Sequence, residues 1–285
     1  MWDPKVQRGP SLTTYHSRFA YDPPYGTNLA ISCAIFFSAF VITLAPTLFD
    51  LPLTILFNSL AGRSAVLDLL FYTFDSSYTF SGAILMALIW GCWLGNDQPM
   101  RTRILAGSIA SFAAGIASRR LQHGLPTHLR PFYDQAVHFH HPLYMSHWAL
   151  NTWYSFPSDH VAVFSGLLTV IWFSGSQFRL PALLWLILVE SSRTYEGAHF
   201  PSDLLGGAAL GCAFVWASQN HAVLRLSRRF MAFEVSAPAL FYIGAFFISF
   251  QLATLFTDFR NAGSAILQLR HHEASTPGLQ SAGSE

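Results

Sequence analysis

Residues 204–224 read LLGGAALGCAFVWASQNHAVL, a run of 21 residues without a single Lys, Arg, Asp or Glu. An apolar helix of about 20 residues is long enough to cross the hydrocarbon core of a bilayer, which is about 30 Å thick. The run therefore predicts a membrane-spanning helix. Comparable uncharged runs recur at residues 29–49, 78–96, 160–178 and 235–257.

Two shorter apolar runs, at residues 104–118 and 180–192, complete the set of predicted spans. Each becomes long enough if flanking arginines extend their charged ends to the membrane interface; these are Arg103, Arg119 and Arg179. Glu190 lies near the end of the second run and is given no chemical role. The sequence thus predicts an all-α fold, a polytopic transmembrane bundle with seven spans.

The composition supports a lipid environment. Hydrophobic residues make up 52% of the chain, charged residues 11%, and the mean hydropathy is +0.36. A soluble domain carries about 25% charged residues, so disorder, a coiled coil and a basic nucleic-acid-binding protein are excluded. The net charge of +1 leaves no electrostatic surface for a polyanion, and no nucleic-acid partner is expected.

The three cysteines all lie in apolar runs, at Cys33, Cys92 and Cys212. An odd number in such positions is not typical of a disulfide framework or of a thiolate metal site. We interpret them as small buried residues of the helix core.

Lys and Arg are distributed unevenly between the two ends of the predicted spans. Nine lie with the N-terminus and the loops near 97–103, 179 and 225–234, and seven lie on the opposite side. Because cytoplasmic loops carry the excess of Lys and Arg, the N-terminus is expected in the cytoplasm. The long 119–159 loop is then expected on the extracytoplasmic side.

The two ends of the chain are polar. Residues 1–28 lack the apolar core of a signal peptide, and we interpret them as a cytoplasmic N-terminal segment. Residues 258–285 concentrate Ser, Gly and Pro, which predicts a disordered tail. The membrane domain is therefore expected at residues 29–257.

Within this domain, residues 51–75 are apolar but interrupted by charged residues. This pattern favours an interfacial or re-entrant amphipathic helix over another crossing.

Three polar stretches break the apolar pattern, and the count of crossings places all of them on one membrane face. They are Leu129-Arg130-Pro131-Phe132-Tyr133-Asp134, then Phe156-Pro157-Ser158-Asp159-His160, and finally Ser192-Arg193 followed by His199 and Asp203. Charged residues within a membrane are costly and usually functional. The stretches therefore indicate a site.

With these motifs the chain resembles the type 2 phosphatidic acid phosphatase superfamily of integral-membrane lipid phosphatases. That family's pattern is K-x6-R-P, then P-S-G-H, then S-R-x5-H-x3-D. The third block is complete from Ser192 to Asp203, the second has Asp159 in place of Gly, and the first has His123 in place of Lys. The resemblance covers about residues 60–220, with motifs at 120–134, 156–160 and 192–203. It implies a six-helix phosphatase core, to which a seventh, C-terminal span is added here.

Phosphate chemistry gives the basic residues of these motifs a role. The transition state of phosphoryl transfer spreads charge over three equatorial oxygens, and guanidinium groups bind such oxygens bidentately. Arg130 and Arg193 are therefore predicted to bind the phosphate. The predicted helix that begins at Ser158 or Asp159 directs its free N–H groups at the same anion, and the hydroxyl of Ser158 can donate as well.

The histidines and Asp203 supply the catalytic groups. A neutral His199 can attack phosphorus and hold the phosphoryl group covalently. Asp203 follows one helical turn later and can accept the other ring N–H. His160 can protonate the departing oxygen and later activate water. The resemblance implies the same three roles for these positions.

The residue that replaces the lysine of the first motif is left open by the sequence. Arg119, Arg120, His123 and His128 are all candidates, and Arg120 is preferred.

The histidines of the 138–147 region raise a second question, since neighbouring imidazoles can bind zinc. A solvated loop or a lid over the site is favoured there, and no metal or other cofactor is expected.

The predicted function is removal of phosphate from a membrane lipid through a phosphohistidine intermediate. The substrate is expected to be a polyprenyl diphosphate, such as the undecaprenyl carrier, or a phosphatidate-type lipid. A lipid-linked phosphotransferase and a catalytically silent lipid-binding or transport protein are the alternatives. A bacterial inner membrane with the site on its outer face is the expected location, and no oligomeric state is predicted.

Overall fold

The computed structural model describes residues 25–145, 154–175, 177–255 and 257, and these residues form helices and connecting turns. The α-helices of this part of the chain are α1 (Tyr25–Thr43), α2 (Asp50–Asn58), α3 (Ala65–Ser76), α4 (Ile84–Leu94), α5 (Gln98–Gly124), α6 (Asp159–Phe173), α7 (Arg179–Tyr195), α8 (Pro201–Ser218), α9 (His221–Ser236) and α10 (Pro238–Ala253). A π-helical turn, Thr79–Ala83, leads into α4. Most of the predicted N-terminal segment, and the predicted tail, lie outside the described residues.

Several helices begin at a polar residue that accepts a hydrogen bond from the first turn. Ser64 caps α3, Asp97 caps α5 and Asn220 caps α9, each through its side-chain oxygen. Such caps satisfy backbone N–H groups that have no partner inside the helix. They explain why these helices begin where the apolar pattern alone gives no boundary.

The seven predicted spans coincide with α1, α4, α5, α6, α7, α8 and α10. Among the described residues, α1 is long and apolar enough by itself to cross a membrane. The bent pair formed by Ala65–Ser76 and Thr79–Leu94, which turns by 72°, passes the same test when taken together. The all-helical fold is therefore confirmed for these residues, and the seven-span topology stays a prediction.

The predicted amphipathic segment is present as two short helices, α2 and α3. Val66, Leu69 and Leu70 on α3 are exposed, whereas Asp68 is completely buried. The apolar side of α3 formed by these three residues thus faces outward, and Asp68 faces the protein. Both helices pack against α7, and α2 also contacts α8.

The centre of the bundle is α8, which packs against α1, α5 and α6. Its glycines allow the backbone of α6 to approach closely. A Cβ atom at Gly211 would lie 2.1 Å from the carbonyl oxygen of Ala162, and one at Gly207 would lie 2.5 Å from that of Ser158. The four-residue spacing of these two glycines therefore serves the packing of α8 against α6 within the bundle.

Replacing Gly211 with Ala is expected to lower the free energy of unfolding by about 1–3 kcal/mol, because the added methyl group overlaps the backbone of α6. The better helix propensity of Ala, about 1 kcal/mol, does not offset this overlap. The measurement is the thermal midpoint of the purified protein in detergent. Gly244→Ala on α10 is the matched control, since nothing lies within 4 Å of its added Cβ. Equal midpoints for the two variants would contradict the close helix contact.

Candidate active site

The ends of α5, α6 and α8 are held together at one end of the bundle. The carbonyl oxygen of Pro157 accepts hydrogen bonds from Ser118 Oγ at 2.8 Å and Gln122 Nε2 at 2.6 Å. The backbone N–H of Ser158 donates to the carbonyl oxygen of Asp203 at 3.0 Å. These bonds bring the second and third sequence motifs side by side.

His199 lies in the turn between α7 and α8 and is almost completely buried, with 1% of its surface exposed. Its Nε2 atom is 3.4 Å from Nη1 of Arg130, and its Nδ1 atom is 3.5 Å from Oδ2 of Asp203. Arg130 is fixed in turn by a 2.8 Å hydrogen bond to the carbonyl oxygen of Ala198. Burial, together with the charges of Arg130 and Arg193, lowers the pKa of His199 below its ordinary value of 6.5. The neutral imidazole is therefore favoured.

The turn that carries His199 requires a glycine. Gly197 has a φ of +73°, and a Cβ atom there would lie 2.4 Å from the ring of Phe139. Its carbonyl oxygen accepts the N–H of Phe132 at 3.0 Å. The loop that contains Arg130 is thereby attached to the turn that contains His199.

Asp203 accepts a hydrogen bond at the start of α8 and also contacts His199. It lies in the first turn of α8, where Oδ2 accepts the N–H of Phe200 at 2.8 Å. The same oxygen faces His199, so the carboxylate is held in place by the start of its own helix. The other oxygen, Oδ1, lies 3.7 Å from Nε2 of His128.

His128 lies between two carboxylates, those of Asp203 and Asp50. Its Nε2 atom is 3.8 Å from Oδ2 of Asp50, and its Nδ1 atom is 2.9 Å from Oγ of Ser155. Asp50, at the start of α2, also accepts the N–H and the hydroxyl of Ser202 at 2.9 and 2.6 Å. The sequence makes His128 a candidate phosphate donor, and no motif in it points to Asp50.

Arg193 forms an ion pair with Asp75, the penultimate residue of α3. The Asp75 side chain is 1% exposed and that of Arg193 is 10% exposed. The predicted phosphate-binding arginine is thus oriented by a carboxylate that, in the sequence, only interrupts an apolar segment. The sequence signal for this role is the charge of Asp75 itself, which lies within the otherwise apolar segment 51–75.

Asp159 connects His160 to Arg119. Its Oδ1 atom is 3.0 Å from Nδ1 of His160, and its Oδ2 atom is 3.2 Å from Nη1 of Arg119. The structure therefore places Arg119, rather than the preferred Arg120, beside the second motif. Arg120 and His123 are both exposed.

The start of α6 offers fewer N–H groups to an anion than the sequence suggested. The N–H of Ser158 is bonded to Asp203, and that of His160 donates to Asp159 Oδ1 at 3.0 Å. The Oγ atom of Ser158 is buried and has no hydrogen-bond partner. The hydroxyl of Ser158 is therefore one polar group at this helix end that is not engaged by another described residue.

The histidines of the 138–147 region show no metal-binding geometry in the described part of the chain, where no group of three His, Cys, Asp or Glu side chains is arranged to hold a metal ion. His138, His140 and His141 lie in the loop before α6, and the N–H of His140 donates to Asn58 Oδ1 at 2.7 Å. His147 lies outside the described residues. The three cysteines are unpaired, and Cys92 is buried.

Comparison with known proteins gives two matches. Residues 125–227 match the sequence profile of the PAP2 superfamily. A 104-residue stretch is 31% identical to a protein of Sulfolobus acidocaldarius named undecaprenyl-diphosphatase. That stretch is 36% of this chain and 48% of the relative, so the chain matches about half the length of that protein. No solved structure matches the chain.

Proposed function

We propose, on the premise that residues 125–227 belong to the PAP2 superfamily, that the protein hydrolyses a lipid phosphate or a polyprenyl diphosphate through a phosphohistidine. One observation carries the proposal. The two ring nitrogens of a buried His199 face a guanidinium and a carboxylate, at 3.4 and 3.5 Å. This is the arrangement that a neutral nucleophile needs when it attacks an anionic phosphorus centre.

In the first step the Nε2 lone pair of His199 forms a bond to phosphorus while the bond from phosphorus to the lipid oxygen breaks. Asp203 stabilises the Nδ1–H of the developing imidazolium, as in hydrolase triads. The electron pair of the broken bond stays on the lipid oxygen, which takes a proton from His160. Arg130 and Arg193 stabilise the charge on the phosphoryl oxygens.

In the second step water attacks the phosphohistidine, and His160 takes a proton from that water. The bond between Nε2 and phosphorus breaks, inorganic phosphate is released, and neutral His199 is restored. Asp159 positions His160 for both steps through the contact at Nδ1, which leaves Nε2 directed away from the carboxylate. The Arg119 guanidinium balances the charge of Asp159 and provides the cation that the first motif lacks.

We propose that the protein is embedded in a cell membrane as the domain at residues 29–257. Large apolar side chains are exposed on the outer faces of α1 and α10, among them Phe37, Ile243 and Phe246. Soluble monomers rarely expose continuous apolar surface of this extent, and a bilayer would cover it. The distribution of Lys and Arg supports a cytoplasmic N-terminus and a site on the extracytoplasmic side.

Phosphate release from lipid substrates tests the proposal. The purified protein in detergent is expected to release phosphate from at least one member of a panel of polyprenyl diphosphates and phosphatidates. Activity is expected to persist with EDTA, because arginine side chains carry the charge stabilisation in this mechanism. Release of no phosphate from any member, or transfer of the phosphoryl group to an added alcohol in place of water, would contradict hydrolysis.

A further inference from the structure

Two separate sets of cavities flank the site. The larger, about 660 Å³, lies between α2, α6, α7 and α8 and has Glu190 and Thr194 in its wall. On the other side, a cavity of about 250 Å³ is lined by Arg119, Asp159 and His160 together with apolar residues. The question is which of them receives the hydrocarbon chain of the substrate.

The cavity beside His160 continues along α5. A further apolar cavity of about 310 Å³ between α4, α5 and α10 shares two wall residues with it, Phe112 and Leu252. Together they form what we term the α5–α10 groove, which is lined among others by His160, Phe112, Leu252, Ile109, Ala245 and Trp93. On α5 the lining runs from Arg119 to Ile104, about 22 Å at 1.5 Å per residue.

The stereochemistry of phosphoryl transfer selects between the cavities. The attacking atom and the leaving oxygen lie roughly in line on opposite sides of phosphorus. With His199 as the nucleophile and His160 as the acid, the leaving oxygen lies at His160. The chain attached to that oxygen must therefore begin in the cavity that His160 lines.

From this we infer that the α5–α10 groove binds the hydrocarbon chain of the leaving lipid alcohol or lipid phosphate, with Leu252 and Ala245 of α10 as part of its wall. The inference rests on the proposed function and adds to it the position of the lipid chain. The groove walls are apolar below Arg119, which suits an acyl or prenyl chain.

The size of the larger cavity does not make it the better candidate. Among the described residues that line it there is neither His160 nor His199. Both carboxylate oxygens of Glu190, in its wall, are buried without a hydrogen-bond partner. A hydrocarbon chain placed there would leave this carboxyl in an apolar surrounding and add no partner to it.

A matched pair of substitutions tests the inference in the full-length protein. Ala245→Phe fills the α5–α10 groove about 10 Å beyond Leu252, by the rise of an α-helix. Ala208→Phe fills the larger cavity by the same added volume. The substrates are geranyl and geranylgeranyl diphosphate, and dioctanoyl and dioleoyl phosphatidate.

The quantity measured is the ratio of kcat/KM between the long-chain and short-chain member of each series. Ala245→Phe is expected to lower this ratio about tenfold or more, since apolar pockets discriminate by such factors, and Ala208→Phe is expected to leave it unchanged. The reverse pattern, or an unchanged ratio in both variants, overturns the inference that the α5–α10 groove binds the lipid chain. A wild-type protein inactive on every substrate contradicts the proposed function itself, and the groove with it.

A second measurement does not depend on how the variants fold. A prenyl phosphate with a diazirine at the far end of its chain is photolysed on the wild-type protein, and the labelled peptides are identified. Labelling within α4, α5 or α10 supports the groove. Labelling confined to α7 and α8 assigns the chain to the larger cavity and overturns the inference.

Discussion

His199→Asn is expected to lower the rate of phosphate release by about 10⁴-fold or more, as loss of a nucleophile does in covalent hydrolases. Asn cannot hold a phosphoryl group through a ring nitrogen, yet it keeps a polar side chain between Arg130 and Asp203. The measurement is incorporation of label from a radioactive phosphate ester into the protein. The wild type is expected to give a base-stable, acid-labile phosphoenzyme, and the variant none.

His160→Ala is the informative comparison for that experiment. With p-nitrophenyl phosphate the leaving group needs no proton, so the variant should still form the phosphoenzyme. Without a base to activate water, the labelled intermediate should then accumulate. A labelled His199→Asn protein, or a wild type that turns over without any labelled intermediate, would contradict the covalent mechanism.

Most helices could be predicted from the sequence because each follows from the composition of one continuous stretch of residues. Uncharged runs such as 160–178 and 204–224 allow little but an apolar helix, and both are helical over most of their length. The polar start and end of α5 could not be predicted in this way, because its apolar run covers only 104–118 whereas the helix extends over Gln98–Gly124. The caps and tertiary contacts at its two ends supply the missing turns.

The candidate site could be predicted only where the motif itself carries the chemistry. The motif residues His199, Asp203 and Arg130 meet as expected, at the distances given above. Two carboxylates that support the site, Asp50 on α2 and Asp75 on α3, bind Ser202 and Arg193, which follow them by more than a hundred residues in the chain. No spacing rule connects residues so distant. The sequence indicates only that a carboxylate inside an apolar segment needs a partner, and it does not identify that partner.

Asp68 shows the same principle at the edge of the site. Its carboxylate accepts the N–H of Gly62 at 3.1 Å and that of Leu143 at 2.9 Å, and it also binds the hydroxyl of Tyr195. With Asp50 and Asp75 it makes three acidic contacts between the α2–α3 segment and the residues around the site. This segment therefore acts as structural support for the site.

Asp75→Asn is expected to destabilise the protein by about 3–5 kcal/mol, because it leaves Arg193 as a buried charge without its carboxylate. Asn is nearly isosteric with Asp, so the loss reports the ion pair rather than packing. KM for the substrate is expected to rise as well, since Arg193 loses the group that orients it toward the phosphate. The measurements are the thermal midpoint in detergent and the steady-state kinetics of phosphate release.

Asp97→Asn is the matched control for that substitution. Asp97 is exposed and caps α5 by accepting the N–H of Met100 at 3.1 Å, a role in which Asn is equally good. The thermal midpoint and the KM of the Asp97→Asn variant should therefore match those of the wild type. The double variant Asp75→Asn with Arg193→Gln removes both charges, so it should be less destabilised than the sum of the two single variants. Additive losses would contradict a direct pairing of these two side chains, and an unchanged KM in Asp75→Asn would contradict the orientation of Arg193 by α3.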